Sequence, residues 1–431
     1  MKTYAAPIFE VSEWKELLIP GLSLSHKDRQ LAQQLGEDEG RLEILELQEG
    51  IRIRAKSWVG VLRFENFQLN ITPKLAGDNL GLVEMLAFTM GIDALRRNKG
   101  LRLLDFEHEG GLLDLLALLL VEECETIIRN GLMYDYIQKE DDLPVLRGRL
   151  LVKAQIRKRL GLIDRVECRF DDHSSNIIEN QILLVALNAS AKFVSHPLVR
   201  RHLHRLNSIF SAICDSNVPN LSAARGGLIY NRLNSHYEDA HNLSWIILEG
   251  LGINDIFTSR DTRSFAFLLD MNHLFEKFIF RYLEWIFAGT GNKVHYQRRN
   301  RSILWNVSDN RSYGNIIPDL LVENTGKQRM VIDAKYKLYD ERKVNPSDIY
   351  QSFLYAYAYG SEELTKPKAL LLYPSQFTTA PSLSLQVRNL TQVVGANLHV
   401  IGIHIPQALR EVNLHAPGSL SEQIKEFVAI C

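Results

Sequence analysis

"MVIDAKYKL", residues 330–338, is an apolar run that ends in an aspartate and a lysine with one residue between them. The run reads as a strand buried in a sheet, yet Asp333 and Lys335 are both costly to bury without partners. In an extended chain the two project to one side and Ala334 to the other. As text the pattern is weak, because Glu13–Lys15 and Glu341–Lys343 repeat it. A solvated pair of that kind contributes roughly 0–1 kcal/mol.

Context separates Asp333 from the other two acids. Asp319 lies fourteen residues upstream, after Pro318 in a second strand-like run, "IIPDLLVE" (316–323). Neighbouring strands can bring Asp319 and Asp333 together, and two close carboxylates repel unless a cation binds between them. Hard oxygen ligands suit Mg²⁺ or Mn²⁺. Lys335 beside such an ion can orient a water, help deprotonate it, or stabilise charge building on phosphorus. Together these groups are an inventory for metal-assisted phosphodiester hydrolysis. Two helices can extend it. Glu276, in "FEKF", lies beside an apolar stripe and can add a further carboxylate, or pair with Lys277 at the surface. Gln351 and Tyr355 stand at i, i+4 on one helix face; Gln351 can orient water or phosphate, and Tyr355 reads more simply as core.

Around the pair the chain has a definite order. An amphipathic helix is expected from about 260, marked by Phe265, Leu268, Leu269, Phe275, Phe278, Ile279, Tyr282 and Ile286, with Gly289 as its stop. Strands follow at "KVHYQR", "IIPDLLVE" and "RMVIDAKYKL". A helix opens at Pro346 and closes at Gly360. Strands at 368–374 and 397–406 and a final helix from 419 complete an αβββαβ unit with an extra β and α. Upstream, residues 43–73 alternate apolar and polar, with Ile51, Ile53, Val59, Val61, Phe67, Leu69 and Ile71 marking short strands and a helix expected at about 25–36. Residues 80–255 carry apolar residues at helical spacing, strongest at 180–194. In "LPVLRGRLLVKAQIRKRL" a short strand gives way to a basic helix. The expected fold class is α+β and multidomain: an N-terminal β-rich module (1–75), a mostly helical middle region (76–258) and a C-terminal α/β domain (259–431).

Composition narrows the function. The chain has 431 residues, 46% of them hydrophobic, and a net charge of −1, so a polyanion site must be a local patch. "YQRRNRS" (296–302) supplies one, with Arg298, Arg299 and Arg301 as candidate DNA contacts just before the strands; otherwise it is an ordinary charged loop. Arg157–Arg159 and Arg200–Arg205 are further clusters that fit either DNA or a solvated helix face. The four cysteines form no CxxC pair and the histidines no HExxH, which argues against zinc. No signal peptide is evident, and the longest apolar run, "LLDLLALLLVEE" (112–123), is too short for a bilayer and is broken by Asp114. A cytoplasmic protein without a membrane partner is expected.

Pro318-Asp319…Asp333-Ala334-Lys335, with a helix acid upstream, resembles the PD-(D/E)xK nuclease superfamily. More narrowly, "MNHLFEKFI", "VIDAKYK" and "YQSFLYAY" are similar, in order, to nuclease segments of the McrC-type subunits of McrBC modification-dependent restriction systems. "VLRGRLLVKAQI" and "FDDHSSNIIENQILLVAL" look like further features of that family, so the resemblance spans about 70–375. It implies a restriction-endonuclease-like domain at 259–431 that cuts double-stranded, modified DNA with Mg²⁺ or Mn²⁺. Asp319, Asp333 and Glu276 would hold the metal, with Lys335 and Gln351 at the catalytic centre. It also implies a partner: an McrB-like AAA+ GTPase hexamer that binds the GTP, reads the DNA, and is stimulated by the N-terminal and middle regions docking in its ring. The chain has no GxxxxGK[ST] of its own; "NKG" (98–100) and "TGK" (325–327) are incomplete. Two other readings stay open: a stand-alone repair nuclease, and a non-catalytic activator of an NTPase.

Overall fold

The structure is a computed structural model that describes residues 7–38, 40–76, 78–92, 111–160, 164–216, 218, 221–252, 264–325, 329–359, 367–379 and 382–429. The expected boundary near 258, the "NKG" at 98–100 and the stop at Gly360 lie outside them. The chain forms two compact units, residues 1–107 with 268–431, and residues 108–267. The partition expected from the sequence kept residues 1–75 apart from 259–431, whereas the first unit joins them.

In the first unit, β1 (Ile8–Ser12), β2 (Glu16–Pro20), the helix His26–Gln33, β3 (Leu42–Leu47), β4 (Gly50–Ala55), β5 (Trp58–Arg63) and β6 (Gln68–Thr72) form the N-terminal module. β2, β4 and β3 make an antiparallel sheet with β4 central. Ile51 and Ile53 are fully buried there, as the alternation required. β1 runs parallel to β6, β6 antiparallel to β5, and β10 (Phe265–Asp270) closes this sheet beside β5. The expected helix from about 260 therefore begins later than its apolar residues suggest. Phe265, Leu268 and Leu269 belong to a strand, and Asp270 caps the helix Met271–Ile286 by accepting from the Asn272 amide. A period of two and a period of 3.6 overlap over so short a run, and the cap marks the change.

The second sheet of this unit has six strands in the order β11-β14-β15-β16-β18-β17. They are β11 (Lys293–Tyr296), β14 (Leu320–Glu323), β15 (Arg329–Ala334), β16 (Lys368–Pro374), β17 (Ser382–Arg388) and β18 (Val394–Ile403). A hairpin of β12 (Asn300–Asn306) and β13 (Arg311–Ile316) interrupts them. β15, β16 and β18 run parallel, and β11, β14 and β17 pair antiparallel. β16 is the continuous apolar run "KALLLYP" because it lies between two parallel neighbours and is buried on both faces. The helix Met271–Ile286 packs on β11 and β15, and the helix Pro346–Tyr359 on β15, β16 and β18. Val331 of β15 shares an apolar cluster with Leu321 and Tyr359, so the second helix covers the face on which Val331 and Asp333 lie.

The second unit departs from a mostly helical expectation. Its helices Leu112–Asn130, Ile178–Phe193, Pro197–Ser211 and Glu238–Leu251 are present, as are the two-residue β8 (Arg149–Leu150) and the basic helix Val152–Arg159. But β7 (Asp135–Leu143) and β9 (Val166–Ser174) pair along nine residues and, with β8, form a three-stranded sheet. These strands are mostly polar, so no apolar alternation announced them. Their charged rows answer one another instead, through Lys139–Asp172 (2.7 Å) and Arg169–Glu140 (2.5 Å). Cys124, Cys168 and Cys214 are free and buried. Among the described residues no helix is long and apolar enough to cross a membrane.

Candidate active site

The register of the second sheet explains how its acids meet. Leu320 pairs with Ile332 across antiparallel β14 and β15. One step further, Asp319 therefore faces Asp333 on the adjoining strand, a like-charged cross-strand pair that is destabilising by itself. On the other side of Asp319, the Gln297 amide donates to the Asp319 carbonyl at 2.9 Å, extending the β11–β14 ladder. Gln297, Asp319 and Asp333 thus form a polar row across the ends of three strands. Lys335 extends it, its amide bonded to the Leu372 carbonyl of β16 at 2.9 Å.

Asp333 is fully buried. Among the described residues, its oxygens have no hydrogen-bond partner beyond the Lys335 ammonium and the facing Asp319 carboxyl. The Lys335 ammonium lies 3.0 Å from Asp333 Oδ1 and 3.9 Å from Asp319 Oδ2. Asp319 Oδ2 also accepts from the Ala334 amide at 3.0 Å. Burial first, and the Asp319 charge second, raise the Asp333 carboxyl to about 7. Desolvation pulls Lys335 down, but the charges of Asp333 and Asp319 outweigh it and leave its pKa raised. Lys335 is thus a cation held by both aspartates.

Glu276 stands near this row. Burial, then the Asp319 charge, raise its carboxyl to about 7. Its Oε2 accepts from Gln297 Nε2 at 3.4 Å, and Gln297 also donates to the Tyr296 hydroxyl at 3.2 Å. Burial, together with Glu276 and Asp319, pushes Tyr296 up to about 12. Gln297 and Tyr296 were not singled out in the sequence. The available signal was that the "YQRR" run continues β11 beside the Asp319 strand. Gln297 also adopts φ 45°, a left-handed conformation uncommon for a non-glycine residue.

Gln351 lies on the helix covering the Asp333 face, but its amide donates to the Tyr355 hydroxyl at 2.9 Å; no hydrogen bond joins it to the acids among the described residues. Among those residues, no group of three His, Cys, Asp or Glu side chains could hold a metal ion. Glu276 is an electrostatic neighbour of the aspartates. Arg298 is engaged at 3.0 Å by Glu323, which also holds Arg329 at 3.0 Å. Arg299 is exposed, and Arg301 lies in β12 with its side chain outside what is described. The other basic clusters are largely committed to the protein: Lys158 and Arg159 to Glu167, Arg159 also to Asp142, and Arg205 to Glu125.

Two segments that suggested a family turn out to be structural. Gly148, in "VLRGRL", has φ +70°, and a Cβ there would meet the Arg169 carbonyl at 2.4 Å. Asn180 is fully buried; it donates to the Met133 and Ser175 carbonyls at 3.1 and 2.8 Å and accepts from Tyr237 at 2.9 Å.

A family model described as McrBC 5-methylcytosine restriction system component matches residues 53–374, well over half of the chain. One similar solved structure is a Thermococcus gammatolerans chain from a refined half-complex of a tetradecameric assembly of McrB AAA+ hexamers with bound McrC. It shows the same fold at TM-score 0.58 and 17% identity, covering 94% of this chain and 99% of its own. A chain of the cryo-EM McrBC complex of the same organism aligns at TM-score 0.44 and 20% identity, over 64% of this chain and 87% of its own. No curated protein matches. The chain belongs to the family of McrBC 5-methylcytosine restriction system components.

Proposed function

We propose that this chain is the DNA-cleaving subunit of a McrBC-like, GTP-dependent, modification-dependent restriction system. In this reading it acts in the cytoplasm, and residues 259–431 are a nuclease domain of PD-(D/E)xK type. The observation that carries the reading is the fully buried Asp333, opposite Asp319, with the Lys335 ammonium 3.0 Å from the one and 3.9 Å from the other. Two close carboxylates that share one ammonium are an arrangement that a further cation would stabilise. The donor set is all oxygen, as Mg²⁺ or Mn²⁺ prefers, and two carboxylates are enough where water and phosphate complete the shell. Asp319 and Asp333 would hold the ion, with Glu276 beside them. A divalent ion there supplies positive charge toward phosphate oxygens and lowers the pKa of water.

The chain's own groups supply the rest. Lys335, held protonated between two aspartates, presents a fixed positive charge to a phosphate and orients the attacking water. Glu276, with its carboxyl near 7, can accept a proton at neutral pH. Gln297 fixes the Glu276 carboxylate. The partner in this reading is an McrB-like AAA+ GTPase hexamer, which binds GTP and recognises the modified DNA. The T. gammatolerans assembly of McrB AAA+ hexamers with bound McrC supports that choice. Residues 1–258 would dock on the partner and stimulate its GTPase.

The test is reconstitution with the partner GTPase, GTP, Mg²⁺ and methylated DNA. Asp333→Ala and Lys335→Ala should each abolish cleavage while leaving GTPase stimulation intact. Cleavage at the wild-type rate by either variant refutes the assignment. Removing residues 260–431 would be a poor way to separate the two roles, because it takes β10 from the N-terminal sheet.

A further inference from the structure

The two acid-x-Lys pairs set aside in the sequence, Glu13–Lys15 and Glu341–Lys343, meet in the first unit. A cavity of about 580 Å³ is lined by Trp14 and Lys15 on the module side and by the segment Lys337–Asn345 on the other. Seven basic side chains face it against two carboxylates, Glu43 and Glu341. The whole chain carries a net charge of −1, so this concentration of positive charge is local and suits a polyanion. Four of the seven are committed: Lys74 pairs with Glu341 at 2.6 Å, Lys337 with Asp348 at 2.6 Å and Arg54 with Glu43 at 3.9 Å, and Lys56 donates to the Gly40 carbonyl at 2.9 Å. Lys15, Arg342 and Lys343 add charge beyond those pairs.

The wall is built with some strain. Trp14 adopts φ 64°, a conformation that a bulky residue rarely holds unless its surroundings impose it. Those surroundings are explicit. The Glu13 amide donates to the Thr72 carbonyl at 3.0 Å and the Trp14 amide to the Lys56 carbonyl at 3.3 Å. The buried Glu13 carboxylate accepts from the Lys74 amide (2.6 Å), the Leu75 amide (3.2 Å) and the Tyr336 hydroxyl (2.6 Å). The turn thus holds an indole, 38% exposed, at the edge of a basic cavity. It is also tied through Tyr336 to the strand that carries Lys335. Lys337, on the cavity wall, is two residues past Lys335, so their Cα atoms lie within about 7 Å.

We propose that this cavity holds the DNA strand next to the bond being cut, with one unstacked nucleotide against Trp14 and neighbouring phosphates on Lys15, Arg342 and Lys343. An aromatic face beside a positively charged groove is how proteins hold single strands without reading sequence. The assignment rests on the cleavage reading above, but its test does not need cleavage.

The full-length chain is titrated, with EDTA present, into a fluorescein-labelled single-stranded oligonucleotide at several salt concentrations. The triple variant Lys15→Glu, Arg342→Glu, Lys343→Glu should weaken binding at least about tenfold. It should flatten the plot of log K against log salt by about 2, at about 0.7 for each phosphate that is no longer neutralised. Trp14→Ala should weaken binding by about tenfold with the salt slope unchanged, as the removal of one stacked base predicts. Arg342→Glu with Lys343→Glu alone repeats the charge test on exposed loop positions, where folding is not at risk. Wild-type affinity and slope in both charge variants overturns the proposal. Displacement of the oligonucleotide by micromolar free nucleotide moves the site to a free nucleotide and also overturns it. If the oligonucleotide binds here and the complex never cuts DNA, the cavity assignment stands and the cleavage reading fails. If the complex cuts while the triple variant binds as wild type, the reverse holds.

Discussion

Replacing Asp333 by asparagine should stabilise the metal-free protein at alkaline pH. Asp333 is fully buried, and burial with the facing Asp319 raises its carboxyl from 3.8 to about 7. At about 1.4 kcal/mol per unit, ionising it costs the folded state at most about 4 kcal/mol. That shift is already net of the attraction of Lys335 at 3.0 Å; asparagine removes the cost but leaves its own buried amide to be satisfied, so the net gain is about 1–3 kcal/mol. The sign follows from linkage. A folded pKa above the unfolded one gives stability that is full below about pH 4 and is lost as pH rises through about 7. Wild type and variant should therefore converge toward pH 4 and diverge at pH 8, where the variant melts about 2–6 °C higher in EDTA. Differential scanning calorimetry at the two pH values measures this directly. Added Mg²⁺ should then raise the wild-type melting temperature and not the variant's, because only the carboxylate binds it. A variant that melts below wild type at pH 8, or an equal offset at both pH values, would refute the account of a strained carboxylate waiting for a cation.

Other outcomes follow from the same geometry. Glu276→Gln should remove the rise in cleavage rate that wild type shows through about pH 7, since its carboxyl is raised to about 7; a pH–rate profile checks it. Tyr336→Phe takes a 2.6 Å hydrogen bond from the buried Glu13 carboxylate, whose pKa burial already raises. It should cost about 1–3 kcal/mol in thermal unfolding and slow cleavage through the Lys335 strand. Gly148→Ala should destabilise the three-stranded sheet by more than about 1 kcal/mol, because φ is +70° and the Arg169 carbonyl is 2.4 Å from the new Cβ; hydrogen exchange on β9 would show it. Gln351→Ala should leave most cleavage activity intact, given that its amide is bonded to Tyr355.

The parts of the fold that could be read from sequence were those whose burial leaves an apolar pattern, on one face or on both. β4 alternates Ile51 and Ile53 inward, and β16 is apolar throughout because both faces are covered. β7 and β9 were missed because ion pairs across the strands, not apolar residues, mark their register. At the site, Asp319, Asp333 and Lys335 were readable because a strand that ends in charge is conspicuous. Gln297 was not, since its place in the row depends on β11 pairing beside β14 and on a left-handed backbone. Glu276 was found by its place on the helix, but its raised pKa depends on a distance to Asp319 that no spacing encodes. The basic clusters at 157–159 and 200–205 were legible as charge but not as partners. Their neutralising acids come from β7, β9 and a distant helix.

The chain threads its first unit in two pieces, with residues 108–267 emerging from the ribosome between them. The sheet of β1, β6 and β5 waits for its fourth strand, β10, and Glu13 waits for Tyr336, 323 residues later. At about 5–20 residues per second, that interval is roughly 15–65 s. Until β10 is made the nascent module exposes an unpaired strand edge, and through the whole interval the Glu13 carboxylate lacks its Tyr336 partner. In the reading proposed above, the site would be complete only once β14 and β15 have been made, after the N-terminal module and the whole second unit, leaving no early fragment with the complete site.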